Sequence, residues 1–315
     1  MIKTTLCDIL GIEYPLIQGG MAWVADASLA AAVSNGGGLG LISAMNAGPD
    51  WLRNEIRAAR KRTDKPFGVN IMLMSPFADA VAQVIIEEGV GVVTTGAGNP
   101  ARYMKQWCDA GIKVIPVVPS TAIAKLVARS GASAVIAEGG ESGGHIGELT
   151  TMTLVPQVCD AVHIPVIAAG GIADGRGVAA AMMLGAVGVQ VGTAFLVAEE
   201  CTIHQNYKNK ILKAKDIDTI VTGKRLGHPV RSLKSPFSRT FATCESDSGF
   251  TNEQLEQMGA GALRLAAREG NEEKGCFMAG QIAALVQKEQ PAAAIILQMF
   301  KQAETLLTGA AAWIK

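Results

Sequence analysis

The chain has 315 residues, 49% of them hydrophobic and 18% charged, a composition that excludes a disordered polypeptide and allows either one large domain or two ordinary ones. Its 28 basic and 28 acidic residues cancel, so no global field draws it to nucleic acid or to an anionic membrane. The six cysteines stand far apart, without a C-x-x-C pair or a histidine at ligand spacing, which argues against a metal site and a disulfide framework and fits free thiols in a reducing, cytoplasmic setting.

The opening MIKTTLCDIL lacks the apolar run and small-residue cleavage site of a secretory signal. Short β-branched runs, each closed by Gly, Ser, Thr or Asn, then begin near Pro15, Gly38, Phe67, Val90, Lys113, Ser133, Pro165 and Val187. They recur about every 25 residues, the length of one strand plus one helix. Between them ASLAAAVSN, WLRNEIRAARK, ADAVAQVIIEEG, ARYMKQWCDAG, AIAKLVARSG and GRGVAAAMMLG read as amphipathic helices, several stopped by glycine. Eight such units predict an α/β fold, a closed (β/α)8 TIM barrel over residues 1–197. Residues 198–315 then form a basic lid segment and a C-terminal helical extension packed on the same domain.

Two features of the barrel region point elsewhere and fail. Gly96-Ala-Gly98-Asn-Pro-Ala101 has the form of a dinucleotide fingerprint, but no acidic residue follows about 20 positions later to hold a ribose. Gly177 to Ala198 is free of charge and long enough for a membrane span of about 20 residues. Gly185, Gly188 and Gly192 split it into a helical half and a Val-rich strand half, the pattern of a helix feeding a buried parallel strand.

In a barrel the loops after the strands build the active face. The longest interval lies between strands six and seven, and its loop holds Glu138-Gly-Gly-Glu-Ser142-Gly143-Gly144-His145-Ile-Gly147. Glycines let backbone N–H groups approach a flat ring or an anion, and His145 is the one side chain there that exchanges a proton near neutral pH. A long surface turn with a solvated histidine is the competing reading. Gly170-Gly171 after strand seven and Gln190-Val-Gly192-Thr193 after strand eight occupy the usual phosphate-binding loops of barrels, although glycine also serves tight turns. Gly20, Met21 and Ala22 after strand one, with Asn70 on strand three, complete the ring, and an amide suits the polar edge of a heterocycle.

Beyond the barrel, Thr251 to Gln254 is a capping box that starts a helix running to Gly270, and a second helix runs from Pro291 towards Trp313. No acidic residue occurs between Thr219 and Cys244, whereas Lys224, Arg225, Arg231, Lys234 and Arg239 do. With Gly223, Gly227, Pro229 and Pro236 this reads as a shaped lid rather than a helix, and Arg225 and Arg231 become candidates for binding substrate phosphate. A solvated basic loop is the alternative.

The runs IQGGMAWVAD, GGGLG, FGVN, AEGGESGGHIG, IAAGGI and QVGTAF, in this order, resemble the flavin barrel family of nitronate monooxygenases and bacterial enoyl-acyl-carrier-protein reductases of the second type, over essentially the whole chain. Glu138 where monooxygenases tend to carry Gln, Ser142 before the Gly-Gly-His triplet, and Met278-Ala-Gly-Gln281 resemble the reductase branch more closely. The resemblance implies FMN, NADH or NADPH, and an enoyl thioester on acyl carrier protein, reduced during fatty-acid elongation. It assigns FMN to Met21, Ala22, Asn70, Glu138, Gly144, Gly171, Gln190, Gly192 and Thr193, with Gly20, Gly143 and Gly170 beside them. It makes His145 catalytic and places Ser142, Met278 and Gln281 against substrate. Nitronate oxidation is the alternative activity, and a flavin-storage role is a third. The oligomeric state stays open, a homodimer included.

Overall fold

Every barrel strand read from the sequence forms, starting within two residues of its expected position in a computed structural model that describes residues 1–44 and 48–314. In chain order the first half holds α1 (Thr5–Leu10), β1 (Leu16–Gln18), α2 (Ala27–Asn35), β2 (Gly40–Ser43), α3 (Pro49–Arg60), β3 (Phe67–Met72), α4 (Ala78–Glu87), β4 (Val92–Gly96) and α5 (Ala101–Asp109). Next come β5 (Lys113–Val118), α6 (Thr121–Arg129), β6 (Val135–Glu138), β7 (Gly144–His145), α7 (Thr151–Ala161), β8 (Val166–Ala169), α8 (Gly175–Met183) and β9 (Gly188–Val191). The remainder is α9 (Gln205–Leu212), β10 (Thr219–Thr222), β11 (Val230–Leu233), α10 (Pro236–Ser246), α11 (Asn252–Gly259), α12 (Ala262–Glu269) and α13 (Ala292–Gly309).

Eight parallel strands run in the order β1-β9-β8-β6-β5-β4-β3-β2, so β8 and β9 are the seventh and eighth of the barrel. The seam between β1 and β2 is closed by the bridge Ile17–Leu39 and by a buried side chain, for Gln18 Oε1 accepts from Leu41 N at 3.1 Å. Gln18 therefore belongs to the wall of the barrel. The strands are apolar on both faces because both are covered. Ile17, Leu41, Ile115, Ile136 and Ile167 fill the interior together with Leu6 and Leu10 of α1, while Leu16, Ile42, Val69, Val93, Val135 and Val189 pack outwards under the helices. Each such fully buried side chain contributes about 1.5–3 kcal/mol relative to exposure.

The charge-free stretch splits into α8 and β9 as expected, and no helix among the described residues is long and apolar enough to cross a membrane. The part after the barrel departs from expectation in two places, the helix after Thr251 and the basic segment. Thr251 and Gln254 do form a capping box, but the helix breaks in two at Gly261, whose φ of 75° cannot continue it. The second helix begins at Ala292, and α13 packs along α8 so closely that a Cβ on Gly175 would lie 2.4 Å from Ala303 N. The basic segment is a β-hairpin, β10 and β11, followed at Pro236 by α10, with left-handed Gly223 and Gly227 bounding its turn.

Candidate active site

The carboxyl ends of the strands open into a cavity of about 740 Å³, within the usual size of small-molecule sites. Gly20, Met21 and Ala22 line it after β1, and Asn70 from within β3. Glu138 closes β6, and Ser142, Gly143, Gly144 and His145 follow it on the same wall. Gly170 and Gly171 enter from the β8 loop, Gln190, Gly192 and Thr193 from β9, and Met278 from the segment before α13.

The glycines do different things. Gly170 and Gly171 take φ of 88° and 73°, where a side chain strains the backbone. Gly192 has an ordinary φ of −109°, and among the described residues a Cβ there would touch only the Met21 side chain, Sδ at 3.6 Å and Cγ at 3.9 Å. Its backbone does not need glycine, so the hydrogen keeps open a cradle that a side chain would fill. Gly20 makes room for a neighbour, since its Cβ would fall 2.2 Å from Asn70 Cγ. The N-terminus of α8 is capped by Asp174, whose carboxylate accepts from Arg176 N at 2.9 Å. The glycine-lined end of the cavity is thus formed by the Gly170–Gly171 and Gly192–Thr193 backbones, with the N-terminus of α8 closed by its own cap. A small anion beside uncharged amides on Asn70 and Gln190 is what these walls fit, as flavin mononucleotide requires.

The loop after β6 is held from several sides. Glu141 accepts from Thr151 N at 3.0 Å and from its hydroxyl at 2.9 Å, which ties the loop to α7. A Cβ on Gly143 would meet the Ala279 carbonyl carbon at 2.6 Å, so only glycine lets the loop lie on the segment before α13. Gly144, with φ of 78°, turns the chain into β7, which pairs with β11 so that His145 lies opposite Val230. This pairing brings His228, at the hairpin turn, to the cavity mouth. Crowding by protein, and then the like charge of His228, holds the His145 imidazole below its ordinary pKa although solvent reaches it through the mouth. Burial pushes the Glu138 carboxyl up to about 7, opposed by the Ser142 hydroxyl beside it. Among the described residues no group forms a hydrogen bond with that hydroxyl, which is itself buried.

Three expected substrate ligands are placed otherwise. Arg225 is outside the cavity; its Nε donates to Asn252 Oδ1 at 3.0 Å and its Nη1 to Asp247 O at 3.1 Å, while Glu245 accepts from the Gly223 and Arg225 backbone N–H groups. The first acidic residue beyond the acid-free run thus holds the backbone of the hairpin turn. Arg231 turns its Nε and Nη2 onto Gly140 O at 3.2 and 2.9 Å and its Nη1 onto Thr219 Oγ1 at 3.1 Å, so it braces the hairpin against the loop after β6. Gln281 is exposed outside the cavity, its backbone N–H held by Glu141 O, while Gly280 and Ile282 on either side line the wall. Thr193 spends its hydroxyl on Gly280 N at 2.9 Å. The sequence reading missed His228 and Tyr207, whose hydroxyl donates to Met278 O at 2.6 Å. Neither sits in a motif; only the contact of the hairpin with β7 reveals the first, although the Gly-His-Pro turn in a basic segment was a signal.

The shift at Glu138 has a measurable consequence. A carboxyl that titrates at about 7 in the folded chain and at the ordinary 4.5 when unfolded binds more protons folded across that interval. Stability of the flavin-free protein should therefore fall as pH rises from about 4.5 to about 7, and Glu138→Gln should flatten that stretch of the melting profile. An unchanged slope in the variant would assign the titration to another group.

A parallel barrel that rings a cavity with glycines on its seventh and eighth strands, and sets two imidazoles, His145 and His228, at the mouth, has the build of a barrel oxidoreductase. The chain belongs to the nitronate monooxygenase family, whose sequence profile matches residues 3–302. Among solved structures it is similar to FabK from Thermotoga maritima, with 51% identity over 100% of both chains and a TM-score of 0.97. A probable nitronate monooxygenase of Staphylococcus saprophyticus is 35% identical over 97% of this chain and 99% of its own length. The (3aS,4S,5R,7aS)-5-hydroxy-7a-methyl-1-oxo-octahydro-1H-indene-4-carboxyl-CoA dehydrogenase of Mycobacterium tuberculosis is 39% identical over 85% of this chain and 74% of its own.

Proposed function

We propose that the protein is an FMN-dependent reductase of trans-2-enoyl thioesters carried on acyl carrier protein, drawing on NADH or NADPH in fatty-acid elongation. The observation that carries this reading is the likeness to FabK, which extends over both full chains at 51% identity and supports a reductase of the second type. Bound FMN supplies the hydride carrier between nicotinamide and the β-carbon of the substrate. The Gly170–Gly171 and Gly192–Thr193 backbones hold its phosphate, and Asn70, Glu138 and Gln190 face its ring from the wall. As the β-carbon gains hydride, charge accumulates on the thioester oxygen and the α-carbon needs a proton. His145, neutral at neutral pH because its pKa is lowered, answers the first need by donating its imidazole N–H to that oxygen. Glu138, with a pKa of about 7, keeps a protonated fraction at the floor of the site near neutrality.

Nitronate oxidation is the second reading, favoured by the likeness to the probable nitronate monooxygenase of Staphylococcus saprophyticus. One anaerobic experiment separates them. NADH or NADPH should bleach the yellow flavoprotein, and crotonyl thioester should restore its colour. A protein that stays yellow with both nicotinamides yet turns over an alkyl nitronate in air is a monooxygenase, and the reductase proposal then falls.

A further inference from the structure

The cavity mouth is divided by chemistry. Its β8 and β9 side is glycine backbone, whereas the side above β3, β4 and β5 is built from Met72, Met74, Val117, Pro119, Ile123 and Leu126. Between these stand Asn70 and the stretch from Gly96 to Asn99, so among the described residues no charged side chain lines this half. Helix α6 shows why the arrangement calls for an occupant. Ala124 and Val127 are its buried face, fully packed against the barrel. Ile123 and Leu126, three residues apart and so neighbours on the helix surface, are 38% and 43% exposed, and Met74 across the mouth is 60% exposed. Lys125 and Arg129 show that α6 places charge where it faces bulk water. Apolar side chains left uncovered together on a cavity wall mark a ligand surface.

We propose that Met74, Ile123 and Leu126 form the subsite for the hydrocarbon tail of the acyl group and set the preferred chain length. The assignment rests on the enoyl-reductase reading and names the part of the substrate it leaves open. A saturated chain has no group to pair with a charge and fits a wall that has none. The His145 and His228 side of the mouth is left to the thioester and the polar arm beyond it. Methionine suits tails of different length because its unbranched side chain repacks at little cost. The adenine of the nicotinamide cofactor is the rival occupant, being flat and largely uncharged.

The test uses the full-length, flavin-loaded protein and a double variant, Ile123→Asn with Leu126→Asn, both at positions already open to solvent. Specificity constants are measured for butenoyl, octenoyl and dodecenoyl thioesters at fixed nicotinamide. In the unaltered protein kcat/KM should climb with tail length, by up to about fourfold per methylene buried. The double variant should keep its butenoyl rate and its nicotinamide KM, yet lose about tenfold or more with dodecenoyl substrate. Equal loss at every length, or no loss, overturns the proposal. So does a defect confined to nicotinamide KM, which would hand the wall to adenine. Calorimetry with saturated acyl-pantetheine thioesters, which cannot turn over, keeps the two readings apart. A gradient of affinity with tail length that flattens in the double variant supports the subsite even if no enoyl thioester is reduced. Turnover without such a gradient removes the subsite and leaves the reductase.

Discussion

His145→Ala should retain fold and flavin and lose about 10²- to 10³-fold in the enoyl-dependent step, the usual worth of one hydrogen-bond donor to a developing oxyanion. The fold survives because the role of this residue in the structure is a backbone one: β7 pairs with β11 through the main chain at Gly144 and His145, which alanine preserves. Stopped-flow should show nicotinamide bleaching the flavin at the normal rate and the enoyl thioester restoring its colour slowly. Normal recovery of colour would return the loop to an ordinary surface turn. Acidity gives a second readout. The groups around the imidazole are His228 at the hairpin turn, Arg231, which is turned onto Gly140 O, and Glu141, which is turned onto Thr151. If the neutral imidazole is the working form, activity falls only in acid, below the ordinary histidine value. His228→Gln relieves one cause of the lowering, so the acid limb of kcat/KM should move up towards that value.

The barrel could be read because each unit repeats the same local rule: a β-branched run buried on both faces, a glycine or polar stop, an amphipathic helix. Such signals lie within one window of sequence. The cradle was equally legible, since Gly170, Gly171, Gly192 and Thr193 follow the two strands that carry phosphate sites in this architecture. What sequence could not give was pairing between distant segments. β7 has two residues, too few for a pattern, and its partner Val230 lies far along the chain. Hence Arg231 read as a phosphate ligand when it is a brace, and His228, which shares the cavity mouth with His145, was given no role. Arg225 misled for a related reason: its partners are mostly backbone carbonyls of the turn between α10 and α11, which no charge count detects. The glycines of the loop also hid two purposes under one letter. Gly143 is required by the Ala279 backbone, Gly192 by nothing in the protein.

That contrast makes Gly192→Glu the sharpest probe of the cradle. The backbone at this position, φ −109° and ψ −71°, is within reach of ordinary residues, and among the described residues a Cβ approaches only the flexible Met21 side chain, Sδ at 3.6 Å and Cγ at 3.9 Å. A side chain should therefore be accepted without loss of fold and extend into the cavity, where a carboxylate meets whatever anion the cradle holds. Two like charges about 4 Å apart repel by about 4 kcal/mol at the effective dielectric of a protein surface, so FMN affinity should fall by about 10²- to 10³-fold. Gly192→Ala tests space without charge and should weaken binding far less. Both affinities follow from flavin fluorescence during titration of the flavin-free proteins, and their melting temperatures should match that of the unaltered chain. Gly143→Ala is the structural counterpart: its Cβ would fall 2.6 Å from a backbone carbon, so it should lower the melting temperature before any ligand is added. If Gly192→Glu binds FMN as tightly as the unaltered protein, the phosphate lies elsewhere and the open space beside Gly192 belongs to another part of the ligand.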